Sequence, residues 1–337
     1  MALCTNELLG RFAPLTIDTC PARDKRETVE FELETIVNRF KETGGANVLG
    51  INETSGRTRL ITLLGNPTGH SLSPAIHSLS FQLLGIDAEY QAFDVDNDDL
   101  GEIVDELRTV DRWDGGNVTM PCKQAIIEHL DELDEAAELI GAVNVLKKTN
   151  GKVVGYNTDG RGFMVNLVKQ GVSVPGSRMV LLGPGGAGSA ILVQAALDGV
   201  AHIDVFARAG GESRRLAQEL ADRVRAHASC EIELYDMADA AALKACIQDA
   251  DILVNATPIG MGDGCAETPV SPEFIKPGMV VADAIYHPRE TQLIIDAQAR
   301  GCNTVPGLGM LIEQAAASEA IWYSARMPIA QIEQELF

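Results

Sequence analysis

The run Gly183-Pro184-Gly185-Gly186-Ala187-Gly188 constrains the fold of this chain more than any other stretch. It fits G-x-G-x-x-G, follows the strand-like segment Arg178-Met179-Val180-Leu181-Leu182, and precedes an apolar helical stretch with Ala190, Ile191, Val193, Ala196 and Leu197. Strand, glycine turn and helix in that order open a dinucleotide-binding βαβ unit. The glycines allow a tight turn and close approach of a pyrophosphate to a helix N-terminus, where free N–H groups and the helix dipole favour negative charge. A glycine-rich turn without a ligand is the alternative, and the flanking strand and helix weigh against it. The uncharged window Met179–Leu197 is no membrane span, because its glycines and proline would leave backbone groups unsatisfied in lipid.

Around this unit, strand-like and helix-like stretches alternate along the chain without repeats or low-complexity tracts, the pattern of α/β proteins with mainly parallel sheets. The 337 residues suffice for about two domains. The pattern predicts two α/β domains, one an open, mainly parallel substrate domain and the other a Rossmann-like dinucleotide-binding domain. Residues 1–57 read as an extension, with Val29, Leu33, Ile36, Val37 and Phe40 at helical spacing. The substrate-binding domain is expected over 58–158 plus 310–337, and the dinucleotide-binding domain over 159–309. Within the former, strands are expected at Leu60–Leu64, Tyr90–Val95 and Gly116–Thr119, helices at Gln124–Leu133 and Asp134–Ile140, then a turn-rich piece ending at Asn157.

Charge narrows the partners. Lys plus Arg number 27 against 48 Asp plus Glu, a net charge of −21 that repels phosphate backbones and anionic lipid. Nucleic acid and membrane are not expected partners; a small-molecule substrate is, with monomer and homodimer both open. The 7 cysteines are scattered, with no C-x-x-C pair, which suits reduced thiols and offers no metal site. The first residues show neither a basic n-region nor a sustained apolar run, so the expected compartment is the cytoplasm.

Several short motifs carry chemistry. Ser71-Leu72-Ser73-Pro74 follows a strand, where two hydroxyls and nearby N–H groups can hold a carboxylate or simply cap a helix. Asn117-Val118-Thr119-Met120-Pro121-Cys122-Lys123 puts a lysine just beyond another strand, and a lysine in a cleft can move protons. Asn157-Thr158-Asp159-Gly160 reads locally as a turn. After the strand that follows the glycine loop come Arg208, Arg214 and Arg215, which favour a 2′-phosphate, and Glu212, which suits a ribose. NADP and NAD both stay open, with a tilt to NADP and room for dual use.

Together these pieces resemble the shikimate and quinate/shikimate dehydrogenases. The matches are HSLSP (His70 to Pro74), NVTMPCK (Asn117 to Lys123), GAVNVL (Gly141 to Leu146), GYNTDG (Gly155 to Gly160), GPGGAG, NATPIGM (Asn255 to Met261), the Tyr286, Pro288 and Thr291 region, and GLGMLIEQ (Gly307 to Gln314). They run in the family's order from about residue 60 to the end, nearest to the quinate/shikimate branch because of the long segment between Arg208 and Asn255. The resemblance implies that Ser71, Ser73 and Tyr286 bind the substrate carboxylate, while Asn117, Thr119, Asn144, Asp159 and Gln314 hold ring hydroxyls. It implies Lys123 as acid/base, paired with Asp159. Gly183, Pro184, Gly185, Gly186, Ala187, Arg208, Thr257, Ile285 and Gly307 would line the cofactor.

Three positions depart from the pattern. Pro184 replaces the usual alanine, Ala207-Arg208-Ala209 replaces the asparagine-arginine-threonine of strict NADP members, and Gly210 falls where the NAD-using branch has aspartate. The implied activity is reversible reduction of 3-dehydroshikimate to shikimate with NAD(P)H, with quinate as a second substrate. The alternatives are a non-catalytic metabolite sensor of the same fold and an oxidoreductase for another small cyclic hydroxy acid.

Overall fold

A computed structural model describes residues 58–69, 71–262 and 265–337. The apolar stripe from Val29 to Phe40, and His70 of the HSLSP motif, lie outside the described residues. The fold is α/β, with two six-stranded sheets rich in parallel pairs, as the alternation of strand and helix predicted. No helix among the described residues is long and apolar enough to cross a membrane.

The first sheet contains β1 (Arg59–Gly65), β2 (Ala88–Asp94), β3 (Trp113–Val118), β4 (Glu132–Leu133), β5 (Val145–Thr149) and β6 (Lys152–Tyr156), in the order β2-β1-β3-β5-β6-β4. Its helices are α1 (Ser73–Leu84), α2 (Leu100–Thr109) and α3 (Glu135–Ile140). β1 is buried along nearly its whole length, as a strand covered on both faces must be, whereas the edge strand β2 is mostly half-buried. Two readings of this region are corrected. Gln124–Leu133 is not one helix: Ala125–His129 forms a single 3₁₀ turn in which only Ile126 is buried, and Glu132–Leu133 pairs in parallel with Val154–Gly155. Ile126, Leu130 and Leu133 do stand at helical spacing, but the pairing of Glu132–Leu133 with β6 takes the chain out of the helix. The piece before Asn157 is strand rather than mere turn, since Asn150 and Gly151, both at positive φ, join β5 to β6.

The second sheet contains β7 (Arg178–Leu182), β8 (His202–Ala207), β9 (Glu231–Asp236), β10 (Ile252–Asn255), β11 (Val280–Asp283) and β12 (Asn303–Val305). Its order is β12-β11-β10-β7-β8-β9, with every neighbouring pair parallel. This is the doubly wound arrangement, and its order reverses between β7 and β10, where ligands bind. The helices that follow are α4 (Asp159–Lys169), α5 (Gly186–Leu197), α6 (Glu212–Val224), α7 (Ala240–Asp249), α8 (Gln292–Ala299), α9 (Leu308–Tyr323) and α10 (Ile329–Leu336). Alternate residues of β7 serve opposite faces: Met179 and Leu181 join the core with Ile191 and Val193 of α5, while Val180 and Leu182 join Leu243, Ile247 and Leu293. That double coverage explains why β7 reads as a continuous apolar run.

The chain packs as two compact units. One holds the described residues up to His129, Lys147–Val153 and Ser318–Phe337; the other holds Leu130–Leu146 and Val154–Ala317.

Candidate active site

In the first unit, β1 and β3 lie side by side where the strand order reverses, and the chain leaves both at Gly65 and Thr119. A Cβ on Gly65 would stand 2.4 Å from Thr119 Cγ2 and 2.7 Å from the Met120 carbonyl, so only glycine fits. Thr119 N–H donates to Leu64 O at 2.8 Å and Asn66 N–H to Met120 O at 2.9 Å, tying the two exits together. Ser71 and Ser73 lie beyond β1. The N-cap of α1 is Leu72, without a side-chain bond, and the Ser71 hydroxyl accepts the Ser73 N–H at 3.2 Å. Ser71 thus takes up one amide of the first turn, and its own hydroxyl proton stays available as a donor.

Asn117, only 5% exposed, is held by two partners that sequence reading had not singled out. Tyr90 of β2 donates to Asn117 Oδ1 at 2.8 Å, and Asn117 Nδ2 donates to Ser318 Oγ at 3.3 Å. Burial pushes the Tyr90 phenol well up, and a hydrogen bond with Ser73 pulls the other way. Ser73, Tyr90, Asn117 and Ser318 therefore form one network, with the Tyr90 ring stacked on His77 at 4.7 Å. Lys123, half-buried, follows Cys122, whose thiol donates to Val95 O at 3.2 Å. Burial raises that thiol to about 11, so Cys122 anchors the loop as a neutral group.

The second unit gathers Asn144, Asp159 and Gln314. Asn144 Nδ2 donates to Asp159 Oδ1 at 2.8 Å and lies 3.5 Å from Gln314 Oε1, while Asn144 Oδ1 accepts the Thr158 N–H at 2.7 Å. All three are buried and polar, at 3%, 9% and 8% exposure, which is costly unless hydrogen bonds compensate. Asp159 opens α4, and that helix packs closely because of two glycines. A Cβ on Gly160 would meet Ala190 O of α5 at 2.2 Å, and one on Gly162 would meet Gln314 N of α9 at 2.6 Å.

The glycine loop sits at the reversal between β7 and β10, and each of its three patterned glycines has a separate duty. Gly183 takes φ +82°, and its Cβ would lie 2.6 Å from Thr257 Cγ2. Gly185 and Gly186 face open space, with nothing within 4 Å of an added Cβ. Gly188 must be glycine because a Cβ would come within 2.1 Å of Gly183 O, holding α5 against the strand. No side chain caps α5 at Gly185, so its first amides are left for a ligand. Pro184 is buried and accepts from Ser189 Oγ at 3.2 Å; Ala187 is half-buried beside it. An open cradle of unfilled amides fits the pyrophosphate of a dinucleotide.

Other expected residues distribute as follows. Ile285 is buried and a Gly307 Cβ would lie 2.4 Å from its carbonyl, while Tyr286 is 37% exposed in the same segment. Arg208 is exposed after β8. Arg214 donates to Tyr235 O and to Leu234 O at 3.1 Å, and Arg215 pairs with Glu212 and Glu219. Arg214 is thus engaged within the fold, whereas Arg215 stays exposed and makes only pairs along its own helix surface. Among the described residues, His202, Asp204 and Glu233 bring possible metal ligands together, but Asp204 already pairs with Arg178 at 2.9 Å.

Family models agree with this layout. Residues 63–146 match the shikimate dehydrogenase substrate binding domain, and residues 307–337 match the shikimate 5′-dehydrogenase C-terminal domain. The chain is 39% identical over 282 residues to the shikimate dehydrogenase (NADP(+)) of Alkaliphilus metalliredigens, covering 83% of this chain and 96% of that one. It belongs to the shikimate dehydrogenase family. Among solved members, shikimate 5-dehydrogenase from Listeria monocytogenes, in complex with shikimate and NAD, superposes with a TM-score of 0.80 at 37% identity, covering 85% of this chain and 100% of that one. Quinate dehydrogenase from Corynebacterium glutamicum, in complex with NAD, has a TM-score of 0.74 at 28% identity over 82% and 98% of the two chains. Membership of this family accounts for the ordered motifs between His70 and Gln314.

Proposed function

We propose that this chain is an NAD(P)-dependent shikimate dehydrogenase that reversibly reduces 3-dehydroshikimate to shikimate, with quinate as a second substrate. The observation that carries this reading is the glycine cradle at the strand-order reversal, in the same compact unit as the buried Asn144, Asp159 and Gln314. A bound nicotinamide dinucleotide supplies or accepts the hydride. The chain's own residues bind, orient and handle the proton. Lys123 takes the proton of the carbinol on oxidation and returns it on reduction, with Asp159 as its partner in that exchange. Asn117, Thr119, Asn144, Asp159 and Gln314 fix the ring hydroxyls, so that one carbinol is presented.

Ser71, Ser73 and Tyr286 hold the substrate carboxylate by neutral donors, a local pocket working against the repulsive field of a chain with net charge −21. Arg208 gives NADP an advantage through its 2′-phosphate, while Glu212, exposed at the start of α6, serves the ribose when NAD binds. The substrate-binding domain in this reading spans 58–158 plus 310–337 and the dinucleotide-binding domain 159–309. The reducing cytoplasm suits the scattered thiols. The test is absorbance at the nicotinamide band with shikimate and quinate, each against NAD and NADP. Turnover of shikimate supports the reading. Binding of shikimate without any turnover makes the chain a sensor instead, and light scattering on the same sample reads monomer or homodimer.

A further inference from the structure

The exits of β10 and β11 converge on a buried carboxylate that none of the roles above uses. Asp283 is 1% exposed. It accepts Ile285 N–H at 2.9 Å and Asn255 Nδ2 at 3.2 Å on Oδ1, and the Thr291 hydroxyl at 2.7 Å on Oδ2. Thr291 also accepts the Ile294 N–H at the start of α8, so its own proton points to Asp283. The two N–H groups cannot act as acceptors, and the ionised carboxylate satisfies all three donors at once.

Asn255 transmits this anchoring to the loop beside the glycine cradle. Its Oδ1 accepts both the Thr257 N–H at 3.0 Å and the Thr257 hydroxyl at 2.7 Å, and its Nδ2 also reaches Ile259 O at 3.2 Å. The Thr257 hydroxyl further accepts the Ile259 N–H at 3.2 Å. With its oxygen spent inside the loop, Thr257 offers its methyl group, the same one that abuts Gly183. On the other side, Ile285 is fixed through its amide, and its carbonyl lies where a Gly307 Cβ would be. One carboxylate thereby sets the mutual position of the Thr257, Ile285 and Gly307 segments.

We propose that Asp283 is the positioning residue for the dinucleotide, locking Thr257 and Ile285 into one surface against which the cofactor binds. The proposal rests on the reading of this sheet as a dinucleotide site. It predicts a split effect: cofactor binding suffers and substrate binding does not. Asp283→Asn keeps the shape but faces an amide N–H toward either Ile285 N–H, Asn255 Nδ2 or the Thr291 proton, so at least one donor loses its acceptor.

The experiment titrates NADP and NAD into the full chain by calorimetry, for the wild type, Asp283→Asn, Thr291→Val and Thr291→Ser. Asp283→Asn should raise the dissociation constant of both dinucleotides by about tenfold or more, with the shikimate KM moved by less than about threefold. Thr291→Val should weaken dinucleotide binding by about threefold, and Thr291→Ser, which keeps the hydroxyl, should bind like the wild type. A folded Asp283→Asn protein, judged by circular dichroism, that binds dinucleotide within about twofold of wild type overturns the proposal. Should that variant not fold, equal binding by Thr291→Val and Thr291→Ser overturns it. The titration needs no turnover, so a wild type that binds dinucleotide but leaves shikimate unchanged removes the proposed activity and still decides this point.

Discussion

The two sheets reach their ligand-binding ends by the same backbone device and then diverge. Leu63-Leu64-Gly65 ends β1, and Leu181-Leu182 ends β7 just before Gly183; the strands beside them run out into Asn117-Val118-Thr119 and Asn255-Ala256-Thr257. In both, the glycine leaves room for the threonine methyl of the neighbouring strand, at 2.4 Å and 2.6 Å from the missing Cβ. Beyond the glycines the two differ. The first loop goes on to Ser71 and Ser73 and sets Asn117 in a network with Tyr90 and Ser318, presenting side chains. The second goes on to Gly185 and Gly186, presenting bare backbone, and turns Asn255 and the Thr257 hydroxyl inward. A ring with hydroxyls at fixed positions needs directed side chains, whereas a pyrophosphate needs amides at close range. The choice between them is made in the few residues after the glycine.

The sharpest way to break this contrast is Lys123→Ala. It should lower turnover by about two to four orders of magnitude, the usual share of a positioned acid/base, and leave dinucleotide affinity untouched by calorimetry. Turnover within a few-fold of wild type would remove the assignment. Gly188→Ala attacks the other side. Its Cβ cannot coexist with Gly183 O at 2.1 Å, so α5 must shift, the NADP dissociation constant should rise by about two orders of magnitude, and the unfolding free energy should fall by about 1–3 kcal/mol. An alanine variant that binds NADP normally would show that backbone approach is not what the loop supplies.

Tyr90→Phe is the counterpart on the side-chain half. It leaves the buried Asn117 Oδ1 without its 2.8 Å donor and should cost about 1–2 kcal/mol in kcat/KM for shikimate, with dinucleotide binding unchanged. Arg208→Ala should weaken NADP by about tenfold and NAD less, since Arg208 is exposed just after β8 while Arg214 is spent on backbone carbonyls of β9. Equal losses would assign Arg208 to the adenine instead. Last and smallest, the Cys122 thiol at about 11 should resist iodoacetamide at neutral pH while the half-buried Cys265 reacts, as peptide mapping would read. Early alkylation of Cys122 would mean that the loop carrying Lys123 opens.

The same contrast decides what could be read from sequence. The glycine loop was legible because its constraints are local: three glycines at fixed offsets, a strand before them and a helix after. The Tyr90–Asn117–Ser318 network was not, since its members are far apart in the chain and Tyr90 looks like any aromatic strand residue. Asp283 was equally hidden, a single acid at a strand end whose donors are its own neighbour Ile285, Asn255 at the end of β10 and Thr291 before α8. The hairpin β5–β6 carries a local signal, the Asn150-Gly151 pair at positive φ, which marks a tight turn between two strands. Gln124–Leu133 differs for the opposite reason: its helical spacing is local, but the pairing of Glu132–Leu133 with β6, which only the folded sheet specifies, leaves just a 3₁₀ turn before it.

The close approach of α4 to its neighbours bears on how this protein could be re-engineered. Gly160 rests on a carbonyl of α5 and Gly162 on the backbone at Gln314, so the Asp159 helix, the helix of the glycine loop and the start of α9 interlock without side chains between them. A transplant that replaced only the dinucleotide sheet would have to reproduce those contacts atom for atom. Chimeras cut to carry residues 154–317 intact keep them by construction, and the donor then imports its own counterparts of Asp159 and Gln314. A change of cofactor made by swapping this segment is therefore also a change of the groups assigned to the ring hydroxyls, whereas point changes after β8, around Arg208, leave those groups in place.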